Sequence, residues 1–532
     1  MSFKRQLYLF HRWAGIALCL LFVLWFVSGF FMMYVGFPEL TQRERLAGSM
    51  PLDLTTARLQ PAEAVARLRQ GDFVTRGRQS RIETLDVSDP AAPIGTPSSM
   101  RLAMILRRPA YVVHPDNGAQ PRVVFADDGT VLREVSEEQA RAAVIDFAGR
   151  SGWRVDPAGI EYEGTIHVDQ WSVSAALDEH RPLLRFALND DAGTVLYVSS
   201  RTGEVVRDTQ RLERVLNSFG AVIHWIYPTI IRKHQLLWEW IVNLLSGVGV
   251  LLAISGLWIG WLRWNPRARP GKPRVPYRGL MRWHYFSGIA FGVVTLTWIF
   301  SGLMSMNPLK LNPSQRPDTA ESLVFAGKSL TPTEFELPVG FAADAIEAVL
   351  HHYAGQAFYR VTDRTGSTYL VSANDRAVRR PSVKSMIERA TALLPDAHLI
   401  SSEILTEYDD YYYSRRPERR AKPLPVVRVR FDDPDHTWFY LNPATGEIVE
   451  RSTRTNRIYR WLYNGLHSFD FWWLWQRRPL WDIVVITLSL GGTVLSIIGI
   501  VVGWRRLRFR ATRRAALAGR NRERAVSSVT KA

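Results

Sequence analysis

Four of the chain's twelve histidines recur at fixed spacings within the same sequence: His11 stands 273 residues before His284, and His224 stands 243 residues before His467. A neutral imidazole is a ready ligand for transition-metal ions, iron among them. Two imidazoles facing each other at one membrane level can take the two axial positions of a haem iron, one from each face of the macrocycle. A porphyrin also needs large apolar neighbours. Leu466, Phe469, Phe471, Trp472 and Trp473 surround His467 in sequence, and Trp225, Ile226 and Tyr227 follow His224. Ser28, Ser301 and the glycines beside them offer thin helix surfaces against which a ring can pack. A lone histidine beside a membrane span is commonly an interfacial residue, but four retained through an internal duplication favour ligation. His234 is matched by Arg477 and is an alternative to His224 without a symmetric mate. His351 and His352 fall on a predicted solvated helix face, and His114, His167, His180, His398 and His436 are scattered without metal-ligand spacing.

The stretch EYDDYYYSRR, Glu407 to Arg416, is the second place where residue types suggest chemistry. Asp409 and Asp410 are hard oxygen ligands suited to ferric iron, Tyr411 and Tyr412 can stack on a chelate, and Arg415 attracts an anionic complex. The competing reading is a tyrosine-rich surface strand with a charged end.

The elements that must position these residues are dominated by four apolar runs, Gly15 to Phe37, Trp238 to Trp261, Tyr285 to Met304 and Leu480 to Val502. Each is long enough to cross roughly 30 Å of hydrocarbon as a helix. The first run continues past the length of a signal-peptide core with no small-residue cleavage site, so it reads as a retained span. The net charge of +17 is concentrated in three stretches. Residues 1–12, 262–283 and 505–532 hold 3, 7 and 10 Lys or Arg against one acid, Glu523. Four spans place those stretches on one side, as the positive-inside rule expects of cytoplasmic segments, so the excess does not point to nucleic acid. Cys19 is the only cysteine, which rules out an intramolecular disulfide and a CxxCH haem attachment.

The spacings extend well beyond the histidines. YVSSRTGEVV at 197–206 aligns with YLNPATGEIV at 440–449, and the offset of 243 carries on to pair Trp238 with Trp481 and Gly256 with Gly499. The offset of 273 pairs Gly15 with Gly288, Trp25 with Trp298 and Ser28 with Ser301. Each half therefore reads helix, outward segment, helix, with a pseudo-twofold axis along the membrane normal. The outward segments look like α+β units. LQPAEAVARLRQ (59–70) and FAADAIEAVLHHYA (341–354) have helical spacing, whereas PVVRVRF and TWFYLNPATGEIV alternate as strands. SDPAAPIGTPSS and LKLNPSQRPDT read as linkers.

FHRWAGIALCLLFVLWFVSGF, WHYFSGIAFGVVTLTWIFSGL, TWFYLNPATGEIV and RWLYNGLHSFDF with the apolar run after it resemble the PepSY-associated transmembrane helix proteins, over nearly the whole chain except the basic tail. The resemblance implies an α-helical bacterial inner-membrane protein with four transmembrane helices in two tandem repeats, both termini cytoplasmic, and periplasmic α+β PepSY-type domains. Some members are di-haem reductases of ferric siderophores and others are fused to flavin reductase modules. His11, His284, His224 and His467 match the family's haem-associated positions, which implies two non-covalent haem b groups. Without a strand-GxGxxG-helix unit or a flavodoxin-like segment, the electron donor must be a separate reductase, a quinol or a diffusible flavin. The expected partners are membrane lipid, that donor and a ferric siderophore or other ferric chelate, with no nucleic acid. The other expectation is a non-redox PepSY anchor that binds or regulates an envelope protein such as a protease. The expected division is 1–37, first span; 38–215, first periplasmic domain; 216–264, interfacial segment and second span; 265–280, basic loop; 281–306, third span; 307–457, second periplasmic domain; 458–506, interfacial segment and fourth span; and 507–532, basic tail.

Overall fold

The computed structural model describes residues 2–70, 96–116, 118, 120–267, 274–417 and 422–529. Residues 88–95 of the expected linker, 268–273 of the basic loop and the side chains of the basic tail beyond 509 lie outside that set. Chain contacts define a helical unit, Met1–Gly36 with Leu216–Asn312 and Ile458–Ala532, and a β-rich unit, Phe37–Val215 with Pro313–Arg457.

The first half of the chain contributes α1 (Phe3–Tyr34), α2 (Pro61–Gln70), β1 (Pro97–Ile105), β2 (Arg108–Pro115), β3 (Arg122–Phe125), β4 (Val131–Leu132), α3 (Glu137–Arg150), β5 (Glu161–Ile166), β6 (Leu183–Ala187), β7 (Val195–Ser199), β8 (Val205–Thr209) and α4 (Gln235–Arg263). The second half contributes α5 (Leu280–Ser305), β9 (Ala345–Tyr353), β10 (Gln356–Asp363), β11 (Thr368–Ser372), β12 (Val378–Arg379), α6 (Val383–Leu393), β13 (Leu399–Leu405), β14 (Val426–Phe431), β15 (Trp438–Asn442), β16 (Glu447–Ser452) and α7 (Leu480–Val529).

In the helical unit, α1, α4, α5 and the Leu480–Phe509 part of α7 are long and apolar enough to cross a membrane. These helices outrun the apolar stretches. Lys4, Arg5 and Arg12 are good helix formers, so α1 starts at Phe3, well before the hydrocarbon-length run. Both α1 and α5 pack against α4 and against α7. Close approach relies on small residues. A Cβ on Gly491 would lie 2.2 Å from the ring of Phe291 in α5, and one on Gly492 would lie 2.3 Å from the ring of Phe26 in α1. This glycine pair, costly in helix propensity, lets α7 seat an aromatic ring from each neighbour.

In the β-rich unit an eight-stranded antiparallel sheet runs β12-β11-β10-β9-β1-β2-β3-β4. Strand pleating separates its faces. Met100, Leu102, Tyr111, Val113, Ala348 and Leu350 pack with Ala64, Val65 and Leu68 of α2. Ile105 and Val112 pack with α3 and the four-stranded sheet β5-β6-β7-β8, while Phe358 and Leu370 pack with α6 and the sheet β13-β14-β15-β16. Strands β1–β4 and β9–β12 thus share one sheet, joined where Arg101 pairs with Val349 and Ala103 with Glu347.

Helical spacing in residues 341–354 proves misleading, since Ala345–Tyr353 is strand β9. The run AIEAVL fits either period, and pairing with β1 and β10 on both sides decides for the strand. The predicted solvated face for His351 and His352 fails with it. His352 is 3% exposed and its Nε2 lies 3.2 Å from Glu334 Oε2, while His351 is half-buried.

Strand geometry turns Glu347 inward, where Arg45 donates to both its carboxylate oxygens at 2.9 Å and Arg101 donates at 3.1 Å. Arg101 also pairs with Glu204 at 2.7 Å. Burial would raise the Glu347 carboxyl, but the two guanidiniums hold it down to about 2, against an ordinary 4.5. A depressed folded-state value gives stability that is present above the ordinary value and lost as pH falls toward 2. Denaturant unfolding across pH should therefore show stability declining from about pH 4.5 to 2. Glu347→Leu, which leaves the half-buried Arg45 without this carboxylate and Arg101 with Glu204 alone, should cost about 1–3 kcal/mol at neutral pH and flatten that decline.

Candidate functional site

The helical unit brings the four histidines into two pairs. His11, in the third turn of α1, faces His284, in the second turn of α5, with ring centroids 6.4 Å apart and planes at 47°. His224 ends the short helix Ala221–His224 and His467 lies in Leu466–Ser468, with centroids 6.0 Å apart and planes at 72°. His234 is exposed next to the first residue of α4 and takes no part in either pair.

Three of the four rings are fixed the same way. His224 Nδ1 lies 3.0 Å from Ser28 Oγ and 3.1 Å from the Trp25 carbonyl oxygen. His467 Nδ1 lies 3.0 Å from Ser301 Oγ and 3.3 Å from the Trp298 carbonyl oxygen. His11 Nδ1 lies 3.1 Å from Ser255 Oγ and 3.3 Å from the Leu252 carbonyl oxygen. Each serine hydroxyl donates to the same carbonyl, three residues earlier in its helix, at 3.1, 3.0 and 2.7 Å. Its lone pair is then left to accept from the imidazole, so Nδ1 carries the proton and Nε2 keeps its lone pair. His284 differs, because its Nδ1 is buried and makes no hydrogen bond among the described residues.

Glycines stand against the rings. A Cβ on Gly256 would lie 2.8 Å from His11 Cε1, and one on Gly499 would lie 3.8 Å from His284 Cε1. Gly29 and Gly302 face His224 and His467 at 3.8 and 3.6 Å. A cavity of about 780 Å³ surrounds His11 and His284, within the size range of cofactor pockets. Arg12, Arg278, Arg505 and Arg506 line it, and among the described residues no carboxylate does. At the other pair Tyr463 stacks on His467 with centroids 5.5 Å apart at 30°. With three of the four rings fixed through Nδ1, each facing pair presents two imidazoles that could hold one metal ion between them.

The acidic and aromatic cluster belongs to the β-rich unit and lies in the connection between β13 and β14, not in a strand. Asp409 caps the backbone of Tyr411 and Tyr412 at 2.9 and 2.7 Å and accepts from Arg428 at 2.5 Å. Tyr412 is fully buried, stacks on Tyr440 at 4.7 Å and donates its hydroxyl to the Pro423 carbonyl. The expectation of a chelate contact is corrected for these two, whose side chains the loop itself uses. Asp410 and Tyr411 are partly exposed and Arg415 is exposed.

Serine anchoring was not legible in the sequence. Ser28 and Ser301 recur at the 273 offset and stood out only as small residues, and Ser255, whose counterpart is Ile498, gave no signal. Recurrence of a serine alongside a histidine is the one hint the sequence holds, and it does not say that the two side chains meet.

Four membrane-length helices enclosing paired histidines, together with a β-rich unit, make this a multi-pass membrane protein. The chain belongs to the PepSY-associated TM region family, whose model matches residues 8–399 and so takes in His11, His224 and His284. No curated protein and no solved structure matches it.

Ring packing at Gly256 gives a direct check. Gly256→Val should lower the thermal stability of the detergent-solubilised protein by about 1–3 kcal/mol through overpacking against His11. Gly247→Ala, on the same helix with nothing within 4 Å of the added carbon, should leave it unchanged or slightly raised.

Proposed function

We propose that the chain is a transmembrane electron conduit of the bacterial inner membrane that holds two b-type haems and reduces a ferric chelate on the periplasmic side. The carrying observation is the pair of histidine separations. Two imidazoles ligating one iron from opposite sides place their ring centres about 6 Å apart, since each bond is about 2 Å and each centre lies about 1 Å behind its nitrogen. Separations of 6.4 and 6.0 Å fit that requirement at both ends of the helical unit. Proton placement on Nδ1 of His11, His224 and His467 supports it, because a ligating histidine characteristically donates its second nitrogen to an oxygen.

The recurrence at 243 and 273 supports two tandem copies of helix, outward segment, helix. The arginine-rich flanks favour a cytoplasmic position for the His11–His284 end and for both termini. Haem supplies one-electron relay there. Seventeen residues of α1 separate His11 from Ser28, which anchors His224, so the two sites are about 25 Å apart along the helix. Phe22, Phe26 and Trp298 pack in the interval. The conduit takes electrons from a separate reductase, a quinol or a flavin and passes them to a ferric siderophore or similar chelate in iron acquisition. Reduction loosens such a complex because ferrous iron is the softer partner for hard oxygen donors. Asp410, Tyr411 and Arg415 are the residues of the tyrosine cluster proposed to meet the chelate.

The purified full-length protein should show a reduced b-type spectrum with two haems per chain. His284→Ala and His467→Ala should each remove one haem, and both should abolish reduction of a ferric chelate by the reconstituted protein. A colourless protein from haem-replete cells would refute this reading and leave the alternative of a non-redox anchor that binds or regulates an envelope protein.

A further inference from the structure

The two histidine pairs are not equivalent. His11, His224 and His467 each give Nδ1 to a serine hydroxyl and a helix carbonyl, whereas His284 Nδ1 is buried without a hydrogen bond. The reason is one substitution between the halves. Ser255, which holds His11, immediately precedes Gly256, and Gly256 faces His11 Cε1; Gly499 faces His284 Cε1, and the residue before it is Ile498. Isoleucine accepts no hydrogen bond, and the Leu495 carbonyl, counterpart of the Leu252 carbonyl that His11 meets, does not bond His284 either. Packing is looser as well. His11 Cε1 comes within 2.8 Å of where a Gly256 Cβ would stand, while at Gly499 Cys19 Sγ takes the close position at 2.7 Å and His284 Cε1 is held off at 3.8 Å. The 780 Å³ cavity is lined by both His11 and His284, so of the two rings the one without an anchoring hydrogen bond has room to move.

A hydrogen bond from the second ring nitrogen orients a ligating histidine and raises its basicity. From these contacts we infer that His284 is the exchangeable ligand of its pair, so that a small π-accepting diatomic such as carbon monoxide binds there and not at the His224–His467 pair. This rests on the haem reading above. The step is a ligand exchange in which the bond from His284 Nε2 opens and one from the incoming carbon forms, with no electron or proton transferred.

The test is a carbon monoxide titration of the full-length, haem-loaded, reduced protein followed by its visible spectrum. One haem of the two should shift. Ile498→Ser, which restores the missing acceptor, should weaken carbon monoxide binding by roughly 10–100-fold, the scale on which such outer contacts act. Ile498→Thr should do the same and serves where the serine variant is poorly produced. Binding at neither haem, equal binding at both, or an affinity unchanged in both variants would overturn the inference. Absence of any haem spectrum would overturn the haem reading and this inference together, whereas two haems that ignore carbon monoxide overturn this inference alone.

Discussion

A polar side chain inside an apolar helix bundle has to find its hydrogen-bond partner within the protein, and the helical unit is organised by that requirement. Few acceptors are available there, because helical carbonyls are largely occupied by their own ladder. Serine provides a route. Ser28, Ser255 and Ser301 each give their proton to a carbonyl one turn earlier and turn a lone pair toward an imidazole. The carbonyl and the hydroxyl together fix ring position, tautomer and the nitrogen that faces away. Glycines beside the rings complete the fit by letting the backbone come within contact distance of carbon Cε1.

In the β-rich unit the same requirement acts on charge. Glu347 is buried on strand β9, and its two arginine partners come from elsewhere in the fold, Arg101 from β1 across the seam of the sheet and Arg45 from a short N-terminal helix. That carboxylate ties β9 to β1 at the point where the two strands meet, and its loss would leave Arg45 without this partner and Arg101 with Glu204 alone. The tyrosine cluster obeys a related rule. Tyr412 is buried against Tyr440 with its hydroxyl on a backbone carbonyl, and Asp409 is consumed in capping and in pairing with Arg428. A sequence rich in tyrosine and aspartate therefore spends half of its chemistry on holding its own loop.

Much was legible without coordinates. Hydropathy located four spans, because crossing hydrocarbon demands a long apolar run whatever the tertiary context. The histidines were singled out by recurrence, and α2 and strands β14 to β16 were read from their periodicities. Strand β9 was misread, since the short run AIEAVL, apolar but for Glu347, fits a helical or a strand period and takes the structure its neighbours impose. His224 was preferred to His234 in sequence because only His224 has a histidine at the 243 offset, and the bundle sets His224 opposite His467.

By itself, then, the sequence determined which residues enter the apolar unit and which residue types recur at fixed spacing, as these depend on local composition and on comparing one part of the chain with another. Tertiary structure alone decided which nitrogen of each imidazole is engaged, that His284 lacks the contact its three counterparts have, and that Tyr412 and His352 are interior. These depend on atoms far apart in the chain, such as Ser28 with His224 and Ser301 with His467, whose approach is set by helix packing and leaves no periodic trace in the order of residues.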